Sequence, residues 1–297
     1  MAIAQTKVRG SNLELYRIIL MLAIVAHHYV VNSGLIPLMD EEPLSQRSVF
    51  LYLVGMWGKT GINCFVLITG YFMCKSEITL RKFLKMLLEI EFYNILIYIL
   101  FASCSYTSFS FNEFIWTLFP IHSIHGDFVS CYIVFFFFIP YLTILIKNIN
   151  QNQHAILIGL CLGTYSLLAM IPGIFVTKNY VTWFCVLFII GSYLRQYPLK
   201  ERNIHFWFSM LLISIILAML SVIVFLFLFK RYAPYTLVDD SNAPFAVLVS
   251  ICAFMFFKNL KIRQSKFINT VGGGYVRRFT HTCQQQYHAS MALERLM

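Results

Sequence analysis

Arg17 and His28 are the residues of this sequence whose type and spacing point most directly to chemistry. Both stand in LELYRIILMLAIVAHHYVV (Leu13 to Val31), an apolar run in which an ionisable side chain is costly and is a functional candidate by default. Eleven residues at about 100° each come within about 20° of three full turns, so the two side chains share one helix face, ~16 Å apart along the axis. Counted from Leu13, Arg17 lies ~6 Å in and His28 ~22 Å in. This puts a cation at one mouth of the helix and an imidazole, able to exchange a proton near neutral pH, well inside it. His27 falls about 80° from Arg17 and reads as packing. The blander alternatives are an Arg17 that snorkels and pairs with Glu14 one turn away, and a His28 that hydrogen-bonds a neighbouring helix.

A second apolar stretch, GMWGKTGINCFVLITGYFM (Gly55 to Met73), carries Lys59 and Asn63 four residues apart and so on one face. They are placed to contact a polar ligand or one another. Gly58, Gly61 and Gly70 allow close helix packing. Glu89, Glu91 and Asn94 lie in a third run and read mainly as interfacial. His122 and His125 have an H-x-x-H spacing, with Asp127 close by, but no third ligand is placed by the sequence. His281, Cys283 and His288 make a weaker set still, so no metal is expected.

The elements that must hold these residues follow from composition. The chain has 297 residues, 59% hydrophobic and 12% charged, where a soluble domain carries roughly a quarter charged. Apolar windows near 13–33, 48–73, 82–103, 127–147, 154–175, 180–195, 205–229 and 243–258 approach the ~20 residues needed to cross a bilayer. The expected class is all-α, a polytopic transmembrane bundle of about eight spanning helices. The segment 111–120 is too short to span and reads as interfacial. Lys and Arg in alternate loops number fourteen on the side of the N-terminus and four on the other, which makes the N-terminus cytoplasmic. The net charge of +10 is thus largely a topology signal and does not indicate nucleic acid. The eight scattered cysteines, without a CxxC pair, read as small core residues. Residues 1–271 form the membrane unit. Composition changes after Val271, and 272–297 is an atypical polar tail, of the kind a truncation or altered reading frame would produce.

Three stretches resemble the acyltransferase-3 family of integral membrane acyltransferases, which includes bacterial polysaccharide O-acetylases. LELYRIILMLAIVAHH, with its Arg17 and His28, is similar to the first-helix signature. GKTGINCFVLITGYFM is similar to the second-helix glycine motif, with Thr69 where Ser is frequent. FVSCYIVFFFFIPYL resembles a later aromatic block, from which Asp127 and Thr143 depart. FIIGSYLR and SKFINTV are weaker echoes.

The resemblance implies transfer of an acyl group, commonly acetyl from acetyl-CoA or another acyl-CoA. The implied acceptor is a hydroxyl of a cell-surface polysaccharide or its lipid-linked precursor, and the implied location is the bacterial inner membrane. It further implies His28 and Arg17 as catalytic, with Arg17 also on the phosphates of CoA, and Lys59, Asn63 and Thr69 as substrate-binding. Partners are then the donor, the glycan acceptor and membrane lipids, with no nucleic acid. The other readings are a transporter or flippase of a polar or glycan-linked substrate, and a non-catalytic partner in glycan synthesis. Against transport, no matched pair of broken helices or inverted repeat is apparent.

Overall fold

The computed structural model describes residues 10–104, 109–121, 128–171, 173–174, 176, 179–198, 202–229, 235–238 and 240–272. His122, His125, Asp127 and the tail residues His281, Cys283 and His288 lie outside the described residues. The described residues form twelve α-helices and no strand. They are α1 Ser11–Asn32, α2 Leu35–Glu41, α3 Gln46–Gly55, α4 Gly58–Met73, α5 Leu80–Ser103 and α6 Phe111–Thr117. After these come α7 Phe128–Lys147, α8 Gln151–Leu162, α9 Tyr180–Gln196, α10 Ile204–Phe229, α11 Pro244–Asn259 and α12 Lys266–Thr270.

Six helical stretches are long and apolar enough to cross a membrane: Ser11–Asn32, Gln46–Met73, Leu80–Ser103, Phe128–Lys147, Gln151–Met170 and Ile204–Phe229. The remaining two expected crossings are the shorter α9 and α11, of 17 and 16 residues, both largely buried. The protein is therefore a polytopic helical bundle. Two of the long spans, Gln46–Met73 and Phe128–Lys147, are buried over half or more of their length, together with the shorter α9 and α11, while Leu80–Ser103 and Gln151–Met170 are mostly exposed.

Three features interrupt the regular spans. The second breaks at Met56 and Trp57, so it is two helices, α3 and α4, where the apolar window suggests one. The fifth continues from α8 through a π-turn, Gly163–Leu167, and a 3-10 turn, Leu168–Met170. Short helix α2 follows the first span, and 111–120 does fold as the separate short helix α6.

The core forms where α4, α9, α7 and α11 meet, with Cys64, Leu67, Phe135, Trp183, Phe184, Phe188 and Phe254 all fully buried. Glycine sets the closest approach in it. A Cβ added at Gly191 would lie 2.7 Å from the Leu67 carbonyl oxygen, and one at Gly70 would lie 2.8 Å from Phe188 Cα. The backbones of α4 and α9 thus touch directly, as small residues permit between membrane helices. Helix α5 stands at the edge, with Ile90 and Ile97 as its buried residues.

The ends of α1, α11 and α12 are tied together by side chains. Asn12 Nδ2 donates to the carbonyls of Phe257 (2.9 Å) and Lys258 (3.2 Å), near the end of α11, where helix carbonyls lack partners. The Ser11 hydroxyl accepts from the Ser265 amide at 2.9 Å. Substituting Gly191→Val forces a side chain into backbone and is expected to cost about 1–3 kcal/mol or more. A thermal midpoint in detergent well below the parent's would register that, whereas an unchanged midpoint would mean the two helices are not in contact.

Candidate active site

The site is assembled from α1 outward. Helix α1 begins at Ser11 and ends at Asn32, so His28 lies within about a turn of its far end, ~26 Å from its start. Arg17 and His28 are both half-buried on the face that also carries the buried Ile24. Arg17 Nη1 donates to Glu14 Oε1 at 2.7 Å, and Glu14 is 3% exposed. The pairing open at the i, i+3 spacing is therefore made.

His28 Nδ1 lies 3.3 Å from Asn32 Nδ2, one turn on. As placed, the Asn32 amide nitrogen donates to Nδ1, which leaves the imidazole proton on Nε2; an amide turned to present its oxygen instead accepts from Nδ1–H and leaves the Nε2 lone pair open.

His27 packs, and it does something further. Its ring fills the space over Gly58, where an added Cβ would come within 2.3 Å of it. Its Nδ1 lies 2.5 Å from the carbonyl oxygen of Gly55, the last residue of α3. A carbonyl only accepts, so Nδ1 must carry the proton. The break in the second span leaves carbonyls without helical partners, and His27 satisfies one of them. Tyr235 Oη satisfies another, donating to the Tyr52 carbonyl at 2.9 Å.

Just past the break, Lys59 in the first turn of α4 comes close enough to bear electrostatically on the His28 ring. Its Nζ donates to Tyr180 Oη at 2.5 Å. Tyr180 begins α9 and stacks on Phe184 with ring centroids 5.6 Å apart, and the Phe184 ring in turn lies 5.5 Å from Phe128 and 5.9 Å from Phe135. Lys59 and Tyr180 therefore form one polar pair between α4 and α9, at the end of α4 where Gly58 meets His27 of α1.

Asn63 and Thr69, further along α4, use their polar atoms on neighbouring elements. Asn63 is fully buried; it accepts from Trp183 Nε1 at 2.9 Å and donates to the Ser241 carbonyl at 2.5 Å. The Thr69 hydroxyl donates to the Phe65 carbonyl at 3.0 Å and lies 3.1 Å from Tyr132 Oη. The turn before α11 is held from the other side by Ser166 in the π-turn, whose hydroxyl donates to the Asn242 carbonyl at 2.6 Å. The Asn242 amide in turn donates to the Tyr165 carbonyl. Irregular backbone is tolerated in a membrane protein where protein surrounds it in this way.

Sequence reasoning missed Tyr180, Trp183 and Tyr132, along with the role of His27. No spacing links Lys59 to a tyrosine 121 residues away. The nearest signal is the Gly55–Gly58 sequence, which allows a break without announcing one. Among the described residues, no group of three or more His, Cys, Asp or Glu is gathered as metal ligands would be.

The fold and site define a membrane-embedded helical bundle with ionisable groups collected on its inner faces. A model of the acyltransferase-3 family, described as an acyltransferase domain, matches residues 11–275, and the chain belongs to that family. It is thus a membrane acyltransferase by family, acting between an acyl donor and an acceptor. Neither curated proteins nor solved structures provide a match.

Asn63→Ala strands the Trp183 N–H and the Ser241 carbonyl in the core and should cost about 1–3 kcal/mol. A lowered unfolding midpoint, together with a red-shifted tryptophan emission, is the expected outcome.

Proposed function

We propose that this chain is an O-acyltransferase that moves an acetyl group from acetyl-CoA, or an acyl group from another acyl-CoA, to a glycan hydroxyl. The acceptor is a cell-surface polysaccharide or its lipid-linked precursor, and the location is the bacterial inner membrane. The observation that supports the reading is the α1 face shared by Arg17 and His28, with the Lys59–Tyr180 pair at the adjoining end of α4. We take residues 1–271 as the membrane unit and 272–297, by composition, as an atypical polar tail.

The chemistry follows from these groups. A sugar hydroxyl is a weak nucleophile until its proton has somewhere to go. His28 takes that proton as the hydroxyl oxygen attacks the thioester carbonyl. The new C–O bond forms, the C–S bond breaks, and the departing CoA sulfur receives the proton from His28. Negative charge develops on the carbonyl oxygen in between. Tyr180 Oη accepts from Lys59, so its own proton is left to donate to that oxygen, with the ammonium behind it.

Arg17 meets the donor's phosphates at the cytoplasmic mouth, and the ~16 Å from there to His28 is the length the donor's arm spans. Asn63 and Thr69 support the acceptor path by fixing Trp183 and Tyr132.

Mass analysis of surface glycans from cells with and without the protein tests this. O-acyl groups should be present with the parent chain and reduced at least ~100-fold by His28→Ala, the scale of a lost general base. Arg17→Ala should weaken the response to donor concentration. Undiminished acylation in the His28 variant, at equal protein level, would overturn the assignment. Glycan retained inside the cell, with acylation unaffected by loss of the protein, would favour transport.

A further inference from the structure

Fourteen Lys and Arg residues on the cytoplasmic side are explained as a group by topology. Two of them are placed in a way that topology does not require. Arg195 lies in the last turn of α9 and Lys258 in the last turn of α11. A helix C-terminus favours a cation there, but such a side chain is free to extend into headgroups or water. These two instead turn onto one buried ring, that of Tyr71 near the end of α4, which is 7% exposed.

Arg195 Nη1 donates to Tyr71 Oη at 2.9 Å, and its Cζ sits 4.8 Å from the ring centroid. Lys258 Nζ sits 5.5 Å from the same centroid. The two charges are therefore within about 10 Å of each other, inside the range over which like charges repel in physiological salt. Lys75 adds to the field. It and Arg195 both pull on the Cys74 thiol, which burial pushes up against them.

No carboxylate offsets these charges among the described residues. The ion pairs there are Arg17 with Glu14 and Lys85 with Glu89. Tyr71 Oη, accepting from Arg195, keeps its own proton to give. A guanidinium on the phenol oxygen and an ammonium over the same ring thus stand around Tyr71 with no carboxylate paired to either, a set of donors of the kind that binds phosphate.

Position adds to this. Tyr16 stacks on Phe257 at 4.6 Å, and Asn12 holds the Phe257 and Lys258 carbonyls. The Arg17 turn of α1 and the Tyr71 group therefore flank the same end of α11. Arg17 is shared with Glu14 at 2.7 Å, so the Tyr71 group supplies further cations at this end that no carboxylate pairs with among the described residues.

We propose that Arg195, Lys258 and the Tyr71 hydroxyl form a phosphate-ester site at the cytoplasmic end of the bundle, occupied by a phosphate of the acyl-CoA donor. Its assignment to the donor rests on the acyltransferase reading above. A phospholipid headgroup carries the same chemistry, and the experiment separates the two sources.

The full chain, purified in detergent, is titrated with radiolabelled CoA. Co-purified phosphatidylglycerol is measured by native mass spectrometry on the same samples. Arg195→Gln with Lys258→Gln should weaken CoA binding at least tenfold, and Tyr71→Phe should weaken it severalfold with the ring kept. Lys258→Gln alone breaks no side-chain hydrogen bond, so it carries the test if the double variant aggregates, at threefold or more. Loss of bound phosphatidylglycerol with CoA affinity intact would keep the site and assign it to lipid. Unchanged CoA affinity and unchanged lipid in the variants would overturn the proposal. A parent protein that binds no CoA at all would count against the acyltransferase reading instead, and the lipid measurement alone would then decide the site.

Discussion

The hydrogen bond from His27 to the Gly55 carbonyl is the interaction on which the arrangement of the site depends. In a bilayer no water is at hand for an unpaired backbone group, so a helix can break only where protein satisfies what the break exposes. His27 and Tyr235 do so for the end of α3. The chain can then restart at Gly58, close against the His27 ring, and the first turn of α4 presents Lys59 to Tyr180. The neighbouring histidines thus divide the work. His27 holds the break, and His28, one residue on, meets Asn32 on its own helix.

The same accounting governs the middle of the bundle. The direct backbone contact of α4 with α9, at Gly70 and Gly191, leaves no room for side chains between them. Polar side chains on either side of that contact are each given partners: Asn63 has Trp183 and Ser241, Thr69 has Tyr132, and Arg195 has Tyr71. These pairings run the length of α4 from the His28 end to the cation-rich end. A route for a long donor between two polar ends is the functional consequence we infer.

Much of the fold was legible in the sequence because hydrocarbon imposes a length on every crossing. The apolar windows fall within a few residues of the helices found, 82–103 against Leu80–Ser103 and 205–229 against Ile204–Phe229 among them. The break at Met56 and Trp57 was not legible, since both residues are apolar and hydropathy is blind to a change of backbone direction. The α1 face of Arg17 and His28 follows from helical periodicity alone, as does the Glu14 pairing. The partners of Lys59, Asn63 and Arg195 are 120 or more residues away, and only the packing of α4 against α9 brings them in. The sequence also left Lys59 and Asn63 free to contact each other. The fold directs them to different partners.

The central claim is that an acyl-CoA carries its thioester along α1 to His28. A bromoacetyl-CoA affinity label tests it directly, because the haloacetyl carbon alkylates an imidazole held against it. Peptide mapping of the labelled, purified protein should place the modification on His28, and excess acetyl-CoA should protect it. Labelling that spares the α1 peptide, or that acetyl-CoA does not suppress, would contradict the account.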